Sequence, residues 1–255
     1  MNKLITLLFI LTAFQLKAQD ELKELMVAHG RFTIGAYFSP EAAYRSLENT
    51  ADSEQFNQLV ERRNNSESPK FGYTTGLSIA YDLKNNFSLE SGLQHSNRGF
   101  QHKISWSNLI TNNIIDDRYG FTYNSSEEGN IETISFIDRL QYLGIPINLN
   151  YVAGRKKLKF ISSIGVTAEY LFKASSVVVK HYDDKRPERD ARIEEGYNRF
   201  NLSPQISLGV EYQFSDQMSL RAMPTFRAGL MPIIDAPVTG YVYNAGVLFG
   251  WYVRV

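Results

Sequence analysis

The sequence predicts an all-β fold, an eight-stranded antiparallel up-and-down transmembrane β-barrel. Three observations carry this. Apolar and polar residues alternate with period two along several stretches. On the clearest of these stretches the non-apolar side is mostly Gly, Ser, Thr and Ala rather than the Lys and Glu of a solvated face. Short and long connections alternate strictly, which places short periplasmic turns at one end and long extracellular loops at the other.

The alternation is clearest from Phe71 to Leu83. Phe71, Tyr73, Thr75, Leu77, Ile79, Tyr81 and Leu83 share one face, and Gly72, Thr74, Gly76, Ser78, Ala80 and Asp82 share the other. Period two is the strand period. A soluble sandwich exposes Lys and Glu on its wet face. Gly, Ser, Thr and Ala suit a crowded polar lumen instead. From Phe200 to Phe214, Leu202, Ile206, Leu208, Val210 and Tyr212 alternate with Asn201, Ser203, Gln205, Ser207 and Glu211. From Leu158 to Phe172, Phe160, Ile164, Val166 and Tyr170 alternate with Lys159, Ser163, Gly165, Thr167 and Glu169; Ile161 and Leu171 are apolar exceptions. The last stretch, Tyr241 to Val253, has Phe249 and Trp251 on one face. Val242, Leu248 and Tyr252 intrude on the other.

Four less regular stretches complete the count: Arg31 to Phe38, Phe87 to Phe100, Ile134 to Tyr151 and Met218 to Phe226. Most of the eight reach the roughly 9–11 residues that cross a bilayer when tilted. Aromatics gather toward strand ends, as two interfacial girdles require. Pro146, Pro204 and Pro224 fall inside strands. Each lacks a ladder donor, so each predicts a bulge.

The joins after Leu83, Tyr151 and Phe214 are tight turns. The joins over 39–70, 101–133, 174–199 and 228–240 are long and polar. An even strand count puts both ends of the barrel in the periplasm. Phe56, Leu59 and Val60 suggest a helical turn within the first long join. The mixed charges from His181 to Glu195 predict a solvated third one.

Lys3 followed by the apolar run Leu4 to Phe14 predicts a signal peptide over 1–18, cleaved after Ala18. That run is too short to span a bilayer as a helix. Residues 19–30 then form a periplasmic N-terminal segment, and 31–255 the barrel domain. The 255 residues include no cysteine. This excludes disulfides, thiolate metal sites, a cysteine nucleophile and a lipidated N-terminal cysteine. With 27 basic and 27 acidic residues, charge points to no nucleic-acid partner.

The strand Leu140-Gln141-Tyr142-Leu143-Gly144-Ile145-Pro146-Ile147-Asn148-Leu149-Asn150-Tyr151 resembles the "YLxIPLxLxY" strand of the PorT-like outer-membrane β-barrel family. Phe71 to Leu77, Phe87 to Gly99 and Asn201 to Gly209 are similar to further strands of that family. His95 stands where the family often has Tyr. The resemblance covers nearly all of the mature chain. It implies an eight-stranded barrel in the cell outer membrane and implies little about activity. The namesake belongs to a protein secretion apparatus.

An eight-stranded barrel has a lumen filled by side chains. The charges predicted to point inward are Asp82, Glu90, Arg98, Glu169, Lys173, Glu211, Arg221, Arg227 and Arg254. Buried charges must be paired. We therefore expect a structural network centred on Glu90, Glu169, Glu211 and Arg221, rather than a catalytic carboxylate pair. His95 and His102 lie toward the outer end of one strand. His95 and Ser96 are strand neighbours, so they face opposite sides and cannot pair. No phosphate-loop, calcium-loop, triad or metal spacing occurs. The turn Arg155-Lys156-Lys157 reads as solvated, with lipid contact as the alternative. The expectation is a non-enzymatic outer-membrane barrel without cofactor, in contact with outer-membrane lipid. Its long loops meet other envelope proteins or an external ligand. A barrel enzyme acting on lipid or peptide, a secretion component and a small pore are the alternatives.

Overall fold

The structure, a computed structural model, describes residues 31–51, 54–105, 131–183, 186–193 and 196–255. The expected signal peptide and periplasmic segment, 1–30, lie outside them, as does most of the second long connection. The described strands are β1 (Phe32–Asn49), β2 (Glu67–Asp82), β3 (Phe87–Ser105), β4 (Ile131–Ala153), β5 (Leu158–Tyr182), β6 (Glu188–Ile193), β7 (Phe200–Gln213), β8 (Met218–Ala228) and β9 (Val238–Arg254). One helix, α1 (Glu54–Ser66), stands between β1 and β2 and includes the expected helical turn. All pairings are antiparallel. They run β4-β3-β2-β1-β9-β8-β7-β5, and β4 also pairs with β5, so eight strands close into a ring. Closure leaves no edge within the ring, which a membrane barrel requires.

The ninth strand lies above the ring. β7 occupies one edge of β5 from Leu158 to Tyr170, and β6 continues along that edge from Ser175 to Lys180. The third connection is therefore partly strand, not the wholly solvated loop expected from its charges. The barrel wall rises highest along β3, β4 and β5.

Side chains sort as the alternation predicts. Phe71, Leu77, Leu93 and Phe200 are 66–73% exposed, while Thr74, Thr167 and Ser203 are fully buried in the lumen. A belt of Leu, Ile, Val and Phe this extensive exceeds what a soluble monomer exposes. It fits hydrocarbon. Aromatic pairs mark its borders: Phe87 with Tyr151 and Phe32 with Tyr81 near the periplasmic turns, Tyr44 with Tyr243 and Tyr170 with Phe200 toward the outer end.

The tight turn between β2 and β3 places Asn85 (φ 61°) and Asn86 (φ 68°) in the left-handed region. Two consecutive positive φ values make a type I′ turn, whose twist matches the flanking strands, and Asn tolerates that region.

The prolines differ from expectation. The ladders keep register across Pro146, Pro204 and Pro224, so none forms a bulge. Instead each missing N–H falls at a break or an end in one ladder. β3–β4 pairing skips Pro146 between Ser91↔Ile147 and Gln94↔Gly144. β7–β8 pairing skips Pro224 between Ser207↔Thr225 and Val210↔Ala222, and it ends just before Pro204. Pro40 does the same between β1 and β9. Real register shifts occur elsewhere, between Pro69 and Tyr73 and between Gln141 and Tyr142. The second of these leaves Phe172 as the extra residue of β5. Phe172 and Lys173 are then both exposed. Lys173, expected in the lumen by simple parity, faces outward because the bulge reverses parity beyond it.

Candidate functional site

The lumen holds three layers of cross-strand contacts. Nearest the periplasmic turns, Arg221 of β8 donates from Nε to Glu211 Oε2 at 2.7 Å and from Nη1 to Glu90 Oε2 at 3.2 Å. Asn150 donates to the same Glu90 oxygen at 2.6 Å. The Arg221 guanidinium lies 3.8 Å above the Tyr252 ring. Glycines make room for that ring. A Cβ at Gly35 or Gly250 would stand 2.4 or 2.5 Å from it. A polar cavity of about 240 Å³ opens below, lined by Thr33, Ser88, Lys159, Glu211, Ser219 and Arg221 among others.

In the middle layer two arginines span the barrel. Arg98 of β3 grips Glu169 of β5 with both terminal nitrogens, at 2.8 and 2.6 Å. Ser203 of β7 donates to Glu169 at 2.6 Å. Arg227 of β8 pairs with Glu41 of β1 and donates to Thr74 of β2 at 3.1 Å and to Gln205 of β7 at 2.8 Å. Asn244 of β9 completes Glu41 at 2.9 Å.

The outer layer is apolar. Phe100, Leu140, Tyr142, Leu171, Ala174 and Val242 cluster there with Ile233, which enters from the β8–β9 connection. Backbone bonds hold that connection over the lumen: Asn198 donates to Ile233 at 2.9 Å, and Ile233 to Gly240 at 2.8 Å. At this level Arg45 pairs with Glu67 and stacks 3.5 Å over Phe100.

Of the four residues expected at the network centre, Glu90, Glu211 and Arg221 meet. Glu169 stands one layer higher with Arg98. Asp82 and Arg254 meet at 3.2 Å on the periplasmic rim, half in solvent. Sequence reasoning missed Glu41, Arg45 and Glu67. Their strands continue past the lipid belt, where the outward face stops being apolar and the alternation loses contrast. His102 faces the lumen and stacks on Phe136 at 4.6 Å. His95 faces outward between the rings of Tyr73 and Phe172.

The Glu169 carboxylate is buried and engaged by the Arg98 fork, Ser203 and Gln94, an arrangement that ties strands together rather than one that presents an oxygen to a substrate. Among the described residues, each of the four buried arginines has a carboxylate partner. This chemistry braces strands across the lumen. Among the described residues no group of three or more His, Asp or Glu could hold a metal ion.

The comparisons with known proteins concern the whole barrel. Residues 17–235 match the model of the outer membrane protein beta-barrel domain. No curated protein matches the sequence. Solved structures with similar folds include Neisserial surface protein A, at 10% identity and TM-score 0.41 over 88% of this chain and 97% of that one. OprG from Pseudomonas aeruginosa stands at 11% and 0.41, over 89% and 97%. The outer membrane protease OmpT from Escherichia coli stands at 8% and 0.34, over 88% and 97%. At these identities the likenesses say nothing of activity. A closed ring with a lipid-facing belt and a family match over most of the sequence lead to one assignment: the chain belongs to the outer membrane protein beta-barrel domain family and resides in the outer membrane.

Proposed function

We propose that this barrel is a non-enzymatic scaffold whose outer connections bind an envelope protein or an external ligand. One observation supports this above all. The lumen is filled from its middle upward by paired charges and then by an apolar plug that a connection residue completes. A filled lumen leaves the raised rim at β4, β5 and β6 as the surface with freedom to bind. Within the family we infer kinship with the PorT-like barrels, on the strength of Leu140 to Tyr151 and its in-register Pro146. A role in secretion does not follow from that kinship alone.

The test is site-specific photocrosslinking in cells, with the probe at Arg189 of β6 and, as control, at Gln217 in a periplasmic turn. A discrete adduct from Arg189 alone is the expected outcome. Hydrolysis of lipid or peptide by the purified barrel, abolished by His95→Ala or His102→Ala, would replace this proposal with an enzyme.

A further inference from the structure

We propose that Arg139 and Lys173, on the outer surface of β4 and β5, bind the phosphate groups of an outer-leaflet glycolipid. The first argument is height. At about 3.3 Å per residue and a tilt of about 40°, the outward stretch from Phe160 to Phe172 rises about 30 Å, the thickness of a bilayer core. Phe172 thus marks the outer border of the belt, with Tyr170 and Leu143 beside it, all exposed. Lys173 follows at the level of the headgroups.

The second argument is orientation. The bulge between Gln141 and Tyr142 turns Lys173 out of the lumen, into which strand parity would otherwise send it. Bulges re-aim side chains at barrel rims. Lys173 is opposite Gln141, and Arg139 is opposite Ser175. The two cations are therefore diagonal neighbours on one face, roughly 7–8 Å apart at the backbone. That spacing lets a guanidinium fork and an ammonium close on one phosphate. Gln141 and Ser175 supply polar neighbours, and Lys103 faces outward higher on β3, opposite Ser135.

The third argument is charge. Asp138 and Glu169, the adjacent acids, are buried in the lumen. Arg139 and Lys173 have no carboxylate partner among the described residues. Across the barrel, the outer halves of β1, β8 and β9 carry Tyr44 stacked on Tyr243 at 5.4 Å, Phe226 and the acid Glu48. Cations on one wall, directly above exposed aromatic rings, match an amphiphile with phosphate above acyl chains. A free anion would gain nothing from Phe172 and Tyr170.

This site is independent of loop binding and stands if that proposal fails. The experiment uses the full barrel in neutral detergent and counts bound lipid by intact-complex mass spectrometry. The probes are diphosphoryl lipid A, the same lipid without phosphates, and inorganic pyrophosphate as competitor. Diphosphoryl lipid A is expected to bind wild type. The R139Q/K173Q variant should bind it about twenty-five-fold more weakly, given roughly a fivefold contribution per cation. Lipid without phosphates should bind the wild type as weakly. Ser175→Glu, which sets a negative charge between the two cations, should weaken binding without touching either. R155Q/K156Q/K157Q, in the periplasmic turn, should leave it unchanged. Folding of each variant is checked by the gel shift between boiled and unboiled samples. Equal binding by R139Q/K173Q and Ser175→Glu, or equal binding of lipid without phosphates, overturns the proposal. Displacement by equimolar pyrophosphate, which would show that the acyl chains add nothing, assigns the site to a free anion and overturns it too.

Discussion

In the middle of the barrel Arg98 and Arg227 reach across the lumen to Glu169 and Glu41. At the outer end Phe100, Leu140, Leu171 and Ile233 simply pack. The two regions specify the fold differently. Arg98 joins β3 to β5 and β7, and Arg227 joins β8 to β1, β2 and β7. Most of these strands are not ladder neighbours. A guanidinium fork has fixed geometry, so each arginine also fixes how far opposite walls are sheared past each other. The plug is non-directional. It needs apolar volume at one level and accepts it from a connection as readily as from a strand. The middle layer sets register, and the plug seals.

The contrast predicts unequal responses to truncation. Glu169→Ala leaves Arg98 buried without its carboxylate. The expected loss is about 3–5 kcal/mol of unfolding free energy. Replacing both partners by apolar residues, R98M/E169L, should restore most of it. Urea unfolding of the refolded barrel, followed by the gel shift, measures both. A loss below about 1 kcal/mol for Glu169→Ala would mean that water replaces the carboxylate, and the bracing account would go.

At the plug, Leu140→Ala should cost about 2–5 kcal/mol by cavity formation. Ile233→Ala belongs at the low end, because a connection can settle into the space that a ladder-bound strand cannot. The two regions separate on conservative changes. Leu140→Met should cost less than about 1.5 kcal/mol, whereas Arg98→Lys loses the fork. If Arg98→Lys is as mild as Leu140→Met, direction does not matter in the middle layer.

How much of this was visible in the sequence follows the same division. The ring was legible because lipid forces apolar residues onto one face of every crossing. Val242 and Leu171 looked like impurities on the lumen face. They share a level, and together with Phe100, Leu140 and Tyr142 they form the plug. Only pairing could reveal a shared level. Glu41 was hidden because Ser39-Pro40 breaks the apolar run of β1 while the strand continues to Asn49. Lys173 was misplaced because one extra residue in β5 leaves no mark in composition. The layers themselves depend on register, which alternation does not encode.

The turn between β2 and β3 tests whether the periplasmic end matters as much as the lumen. Asn85→Ala or Asn86→Ala forces a side chain with no local hydrogen bond into the left-handed region. Each should cost about 1 kcal/mol, and the Gly substitutions should be near neutral. Unfolding in urea again decides. A cost matching that of Glu169→Ala would put register control in the turns.

The smallest effect belongs to the rim pair. Arg254 and Asp82 lie 3.2 Å apart, with side chains 51% and 34% exposed. Solvent screens such a pair, so Asp82→Asn should cost only about 0.2–1 kcal/mol. In about 1 M salt, where the screening length falls to roughly 3 Å, that cost should vanish. The middle-layer pair is shielded from salt by its burial, and the cost of Glu169→Ala should persist there. Both variants measured at low and high salt compare one interaction type in two surroundings. Equal salt sensitivity would mean that ions reach the middle layer, and the lumen would then have to be open to at least one side.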